Sequence, residues 1–572
     1  MIAQKKLAAL VLALSLLLAL LAGCGTYTDG GDTSGGAPQT EDSSGDGAPA
    51  SGPAEITIVC QQPNTLNLIQ SASNLDSYAF YLTQEMLFRP YDGNYQPEAV
   101  ESWETDETNT VYTYHLKETV WADGTPITAA DFAYYLLSRL DPSSGSSVAG
   151  DLVANYNFVN SAAFMAGECD ASEVGIEAVD DLTLVLTLEA PMADFDGTNI
   201  ICYPLDADFV AEQGEALGGT VENYMSSGPY MLTEWVYDAY LTYEKNPNWV
   251  LANEQFPLEK VTTLNTLDPG TAASMFESGE VDVLLTVGKD YLDILSDHLV
   301  YSPGSAIRAV QFNTYGQGDP EKAALLSNKN FRMALSYALD REAINAAVNP
   351  TGAGINRYLN APITGKTPES YFADDFPVDT VPMKGDAERA KACLQAALDE
   401  LGYASVSDLP ALSYLVFEND SYRLTGETLV DQWKQVLGIE CITIELQPIP
   451  DAIGKMMSYQ YDLYYTSMAN GTVPSAFLNY WTSAGGINDV TGSGMPLFRN
   501  EEFDNLVKSA ATELDREARM ALYAQAEQIL LDEAPLILIN SDGNYSAISD
   551  RVSGFLFNSY DEALELNRTT VQ

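Results

Sequence analysis

The side chains able to do covalent or metal chemistry are few. His115 and His298 are the only histidines in 572 residues. His115 sits in the strand-like run Tyr114-His115-Leu116 and His298 in a polar turn, so neither belongs to a constellation. No H-E-x-x-H and no G-x-S-x-G occurs, which leaves no zinc-protease helix and no nucleophile elbow. Gly365-Lys366-Thr367 mimics the end of a phosphate-binding loop, but Asn360 stands where its first glycine is needed. Cys24, Cys60, Cys169, Cys202, Cys393 and Cys441 show no C-x-x-C spacing, which argues against structural zinc and thioredoxin-type redox chemistry. Carboxylates are too numerous for any pair to stand out as acid and base. The reading is of a protein that is not an enzyme and needs no cofactor or protein-bound metal.

One thiol does have a chemical context. Lys5 and Lys6 precede an apolar run from Leu7 to Ala22 that ends in Leu21-Ala22-Gly23-Cys24. A charged start, an apolar core and small residues before a cysteine make an export signal with a lipobox. The Cys24 thiol is the nucleophile that takes the lipid and becomes the new N-terminus. Residues 1–24 are therefore signal and attachment site. Residues 25–54, rich in Gly, Ser, Thr, Asp and Pro, form a tether that cannot bury enough surface to order itself. No later run reaches the ~18 apolar residues of a membrane span.

Charge narrows the partners. Asp and Glu number 81 against 27 Lys and Arg, a net −54. Such a chain repels nucleic acid and anionic lipid and suits work outside the cell. Five cysteines remain once Cys24 is lipidated, so they cannot all pair; Cys60 and Cys441 lie in strand-like runs and read as small buried hydrophobes.

The most informative stretch runs from Val111 to Pro142. Val111 to Leu116 is a strand, Asp123-Gly124-Thr125-Pro126 a turn, and Thr128 a helix N-cap with Asp131 three residues on. Phe132, Leu136 and Leu140 share a helix face, and Asp141-Pro142 stops the helix. Ser77 to Phe88 has helical spacing, and Val179 to Leu188 reads as one strand with alternating leucines. Leu412 to Phe417, Tyr422 to Leu437 and Ile439 to Leu446 form a βαβ unit with parallel strands. Asp386 to Leu401 is a helix ended by Gly402. Arg308 to Thr314 reads as a strand entering a second lobe.

The words from Trp121 to Phe132, W-x-D-G-x-P-x-T-A-x-D-F, resemble the signature of the family 5 extracellular solute-binding proteins, the oligopeptide, dipeptide and nickel receptors of ABC importers. Thr65-Leu66-Asn67 resembles that family's "TLNP" turn, with Leu68 in place of the proline. Met225 to Trp235 resembles "GTGPYxLxxW", Leu241 to Trp249 its "NPxYW" strand, Ser278 to Asp282 its "SGExD" turn, and Asn330 to Ala347 its "RxALxxAIDR" helix pair.

The resemblance implies an α/β, two-lobed, hinge-linked binding-protein fold of type II with mixed sheets. It implies a first lobe over 55–306, carrying an extra domain at about 92–190, a second lobe over 307–531, and a return to the first lobe over 532–572. It implies a monomeric lipoprotein, on the cell membrane facing the surface or the periplasm, that captures a peptide between its lobes and hands it to ABC permease subunits. The ligand residues it implies are Ser227, Gly228 and Tyr230 from one segment, and Ser467, Met468, Ala469 and Asn470 from the strand-loop Tyr461 to Pro474. Asn470 stands where oligopeptide-binding relatives carry a carboxylate for the peptide's amino end. Trp481, with Tyr480, would stack on sugars if the ligand were an oligosaccharide. A nickel or other metal complex is a further alternative in the same fold, and a secreted hydrolase the rival from another class.

Overall fold

The computed structural model describes residues 54–572, apart from 92–93, 194, 196, 250–255, 267, 361–362, 364, 367–369, 470–472, 484–497 and 559–562. The proposed signal, Cys24 and all but the last residue of the tether lie outside the described residues, as does Asn470.

One mixed sheet organises the body. Its first half holds the antiparallel hairpin Tyr230–Val236 and Tyr240–Lys245, then Lys260–Leu264, Glu55–Val59 and Val283–Leu284. The last three run parallel to one another. Its second half holds Leu463–Ala469, Leu412–Phe417 and Ile442–Gln447, also parallel where they pair. Two long antiparallel strands, Leu299–Phe312 and Leu536–Ile548, join the halves.

Separate cores lie on either side of that join. One packs Leu82, Trp121, Leu136, Leu184 and Tyr243, from the N-terminal half of the chain. Another packs Leu335, Leu398, Tyr414 and Trp433 under the second half of the sheet. A third packs Tyr358, Phe477, Trp481, Tyr523 and Leu530. The joining strands feed both of the latter: Val310 and Ile537 enter one, Ile307 and Leu538 the other. That alternation is the two-residue period of a strand covered on both faces.

Their pairing breaks at one place. Pro303 pairs with Gly543 and Ile307 with Ser541, so Gly304, Ser305 and Ala306 face Asp542 alone. A Cβ on Gly304 would lie 2.8 Å from the Asp542 carbonyl oxygen, and one on Gly543 would lie 2.4 Å from that of Thr351. Only glycine fits such crowding, and extra residues on one strand bend a ladder there. The first joining strand begins at Leu299, ahead of the expected start at Arg308, because the long partner strand Leu536–Ile548 continues its ladder.

A four-stranded antiparallel sheet stands apart from the main one, in the order Val100–Thr105, Val111–Leu116, Thr183–Thr187, Ile176–Asp180. The helix Ala129–Leu140 packs Phe132, Leu136 and Leu140 into the same core as Leu184 and Leu186. Its start is capped as expected: the Thr128 N–H and hydroxyl both donate to Asp131 Oδ2, at 2.7 and 3.0 Å. Burial pushes the Asp131 carboxyl up, against the lowering effect of those bonds. The expected single strand from Val179 to Leu188 is instead a hairpin. The Asp180 carboxylate accepts from the Leu182 N–H at 3.0 Å and folds the chain back between two short strands. The helix expected over Ser77 to Phe88 spans Asn74–Thr83, capped by Ser73, and Phe88 opens a strand.

Candidate functional site

The strand Leu463–Ala469 lies against the first joining strand along its whole length, from Leu463 opposite Phe312 to Ala469 opposite Ala306. On its other side the neighbour Leu412–Phe417 pairs with it only through Tyr414 with Leu463 and Leu415 with Tyr464. From Tyr465 to Ala469 that edge has no strand partner among the described residues. Unpaired backbone N–H and C=O groups in a row form a template for one more strand. The open edge lies beside the break in the joining strands, since Ala306 and Ile307 pair with Ala469 and Met468.

Side chains gather over this edge. Ser467 is exposed, and Met468 is half-buried against the core that holds Trp481. Arg308 is in register with Ser467. Its Nη2 donates to Asp542 Oδ1 at 2.6 Å, across the break, and its guanidinium lies 5.8 Å from the centre of the Tyr422 ring. The Tyr422 ring in turn lies 5.2 Å from that of Tyr465. Arg308 Nε is buried and has no hydrogen-bond partner. Burial pushes the Asp542 carboxyl up, with Arg308 opposing.

The first implied segment is built differently. Ser227 is fully buried; its hydroxyl accepts from the Glu85 N–H at 2.9 Å and donates to Gln84 Oε1 at 2.8 Å. Gly228 packs its backbone against that of Gln84, and its N–H donates to the Thr83 carbonyl. Tyr230 is fully buried, edge-on to Phe256. These three residues dock the end of the helix Asn74–Thr83 and offer a ligand no side-chain surface as the structure stands.

Trp481 is likewise a core residue, 1% exposed between Tyr358, Phe477 and Phe498. It has no free face for a sugar, because the helix Pro474–Trp481 turns it inward; Tyr480 on the same helix is exposed. The five described cysteines are all free, and burial pushes the Cys60 thiol up to about 12. Among the described residues no group of three His, Cys, Asp or Glu could hold a metal ion.

Of the implied ligand residues, the structure thus brings Ser467, Met468 and Ala469 to one open edge and leaves Ser227, Gly228, Tyr230 and Trp481 in the cores. Arg308, Tyr422 and Asp542 escaped the sequence reading. Arg308 did carry a signal: it is a lone charge in an otherwise apolar strand.

Comparison with known proteins places these features. The model of the bacterial extracellular solute-binding proteins, family 5 (middle), matches residues 94–489. The oligopeptide-binding protein OppA of Bacillus subtilis is 27% identical over 78% of this chain and 79% of its own. The probable deoxycholate-binding periplasmic protein YgiS of Escherichia coli is 29% identical over 83% and 85%. Among solved structures, the unliganded open form of the periplasmic murein tripeptide-binding protein MppA, a protein known from Escherichia coli, superposes with a TM-score of 0.75 at 23% identity, over 91% of this chain and 98% of that one.

Proposed function

The chain belongs to the family 5 bacterial extracellular solute-binding proteins, and from that premise we propose that it captures peptides between its lobes for an ABC importer. The observation that carries the proposal is the open edge from Tyr465 to Ala469. A receptor that must accept many sequences gains affinity from main-chain hydrogen bonds, which every extended peptide can make. An edge with one side already laddered onto the joining strand supplies them in fixed register. The OppA and MppA relatives are named for oligopeptides and a murein tripeptide, in line with this reading.

The finer parts of the proposal rest on the sequence. Cys24 carries the lipid, residues 25–54 tether the body to the membrane, and the extra domain occupies about 92–190 of the first lobe. The partners are membrane permease subunits and their ATPases, met by a monomer. Asn470 faces the peptide's amino end with a neutral carbonyl in place of a carboxylate.

Calorimetric titration with a mixed tripeptide library, matched N-acetylated peptides and deoxycholate tests the reading. Free peptides should bind, and acetylation should weaken them by about tenfold or less, since a neutral hydrogen bond contributes about 0.5–1.5 kcal/mol. Binding of deoxycholate, the named ligand of the YgiS relative, with no binding of peptides would overturn it.

A further inference from the structure

We propose that Arg308 reads the ligand's terminal carboxylate: a peptide laid along the open edge of Leu463–Ala469 presents its C-terminus to the guanidinium held between Asp542 and Tyr422. This inference rests on the peptide reading above and adds to it which end is recognised and by what.

The geometry gives the guanidinium a position over the edge. Arg308 is in register with Ser467, the middle residue of the five that lack a partner. Its strand lies on the closed side of Leu463–Ala469. Tyr422 belongs to the helix Asp420–Leu437, which follows the strand on the open side. With its guanidinium 5.8 Å from the Tyr422 ring centre, the Arg308 side chain leans across Leu463–Ala469 toward the edge where a ligand would add.

The donor count points the same way. A carboxylate binds a guanidinium best side-on, through two parallel N–H donors. Asp542 engages only Nη2, and the buried Nε has no partner. A buried donor without an acceptor is unfavourable, so the arrangement is incomplete in a way that a second carboxylate completes. The Tyr422 ring offers a face for the guanidinium plane to rest on while it changes partner. At a net −54 the protein repels polyanions from a distance, so the anion suited to this place is a single carboxylate brought in by main-chain pairing.

The test uses the processed full chain and a mixed tripeptide library in two forms, free acid and C-terminal amide, with captured peptides identified by mass spectrometry and titrated individually. Wild type should bind acids about tenfold or more tighter than the matching amides, the worth of a charge-assisted hydrogen bond. Arg308→Gln should bring acids down to the level of amides and leave amides unchanged. Arg308→Lys, which keeps the charge without the fork, should fall between the two.

Equal binding of acids and amides by wild type would overturn the assignment while leaving peptide capture standing. So would an undiminished acid preference in Arg308→Gln, or an equal loss for acids and amides, which marks a structural role. Enrichment of amides bearing Asp or Glu over free acids would assign the guanidinium to side chains and also overturn it. Capture of no peptide in either form would bring down the peptide reading itself.

Discussion

Gly228 packs so closely on Gln84 that a Cβ at position 228 would lie 2.6–2.7 Å from the Gln84 backbone. The contact joins the end of the helix Asn74–Thr83 to the segment Tyr224–Tyr230, and the Gly228 and Ser227 N–H groups both donate to the Thr83 carbonyl. The helix end cannot retreat without losing those bonds. Gly228→Ala should therefore destabilise the folded body by about 1–3 kcal/mol, the usual range for overpacking a tight core. Urea unfolding followed by tyrosine and tryptophan fluorescence measures it; an unchanged midpoint would show that the backbone can give way.

Glu85 predicts a pH dependence. Its side chain is fully buried, with Oε1 accepting from the Thr119 hydroxyl at 2.8 Å and Oε2 without a partner. Burial, then the nearby Glu98, pushes its carboxyl well above the ordinary range. A carboxyl raised in the folded state holds its proton there longer than in the unfolded chain. Its contribution is fully present below the unfolded value near 4.5 and is lost as pH rises toward the folded value. Glu85→Gln removes the titration and keeps an acceptor for Thr119. The Tm of the variant should exceed that of wild type at pH 8, and the gap should narrow at pH 5. A gap independent of pH would mean Glu85 does not titrate in that window.

The break opposite Asp542 predicts motion. Gly304, Ser305 and Ala306 face one residue, and the ladder resumes on both sides, so bending concentrates there. Solution scattering should show a smaller radius of gyration at saturating peptide than without it. An identical profile with and without bound ligand would refute closure at this point.

The lipobox predicts a covalent product. Processed protein from the native membrane should carry a diacylglyceryl mass on a peptide beginning at Cys24. Cys24→Ala should remain unprocessed or be released. An N-terminal peptide beginning at Met1, or an unmodified one, would refute the anchor.

Short-range chemistry was legible in the sequence. The Thr128–Asp131 cap, the Gly402 stop with its φ of +78° and the parallel pairing of Leu412–Phe417 with Ile442–Gln447 all follow from residues close in the chain. So did the family words around Trp121 and Pro229, because those turns repeat the same local geometry wherever the fold occurs. What the words do in this molecule was decided by contacts between distant segments. Ser227 and Gly228 looked like a ligand loop until Gln84 was packed against them. Trp481 looked available until Tyr358, Phe477 and Phe498 closed round it. Local alternation could not reveal the Asp180–Leu182 turn, since apolar residues on both of its sides keep the same period. Nor could any window of sequence bring Arg308 to Asp542. Their meeting depends on two strands from opposite ends of the second lobe lying antiparallel across a broken register, and only the tertiary structure sets that pairing.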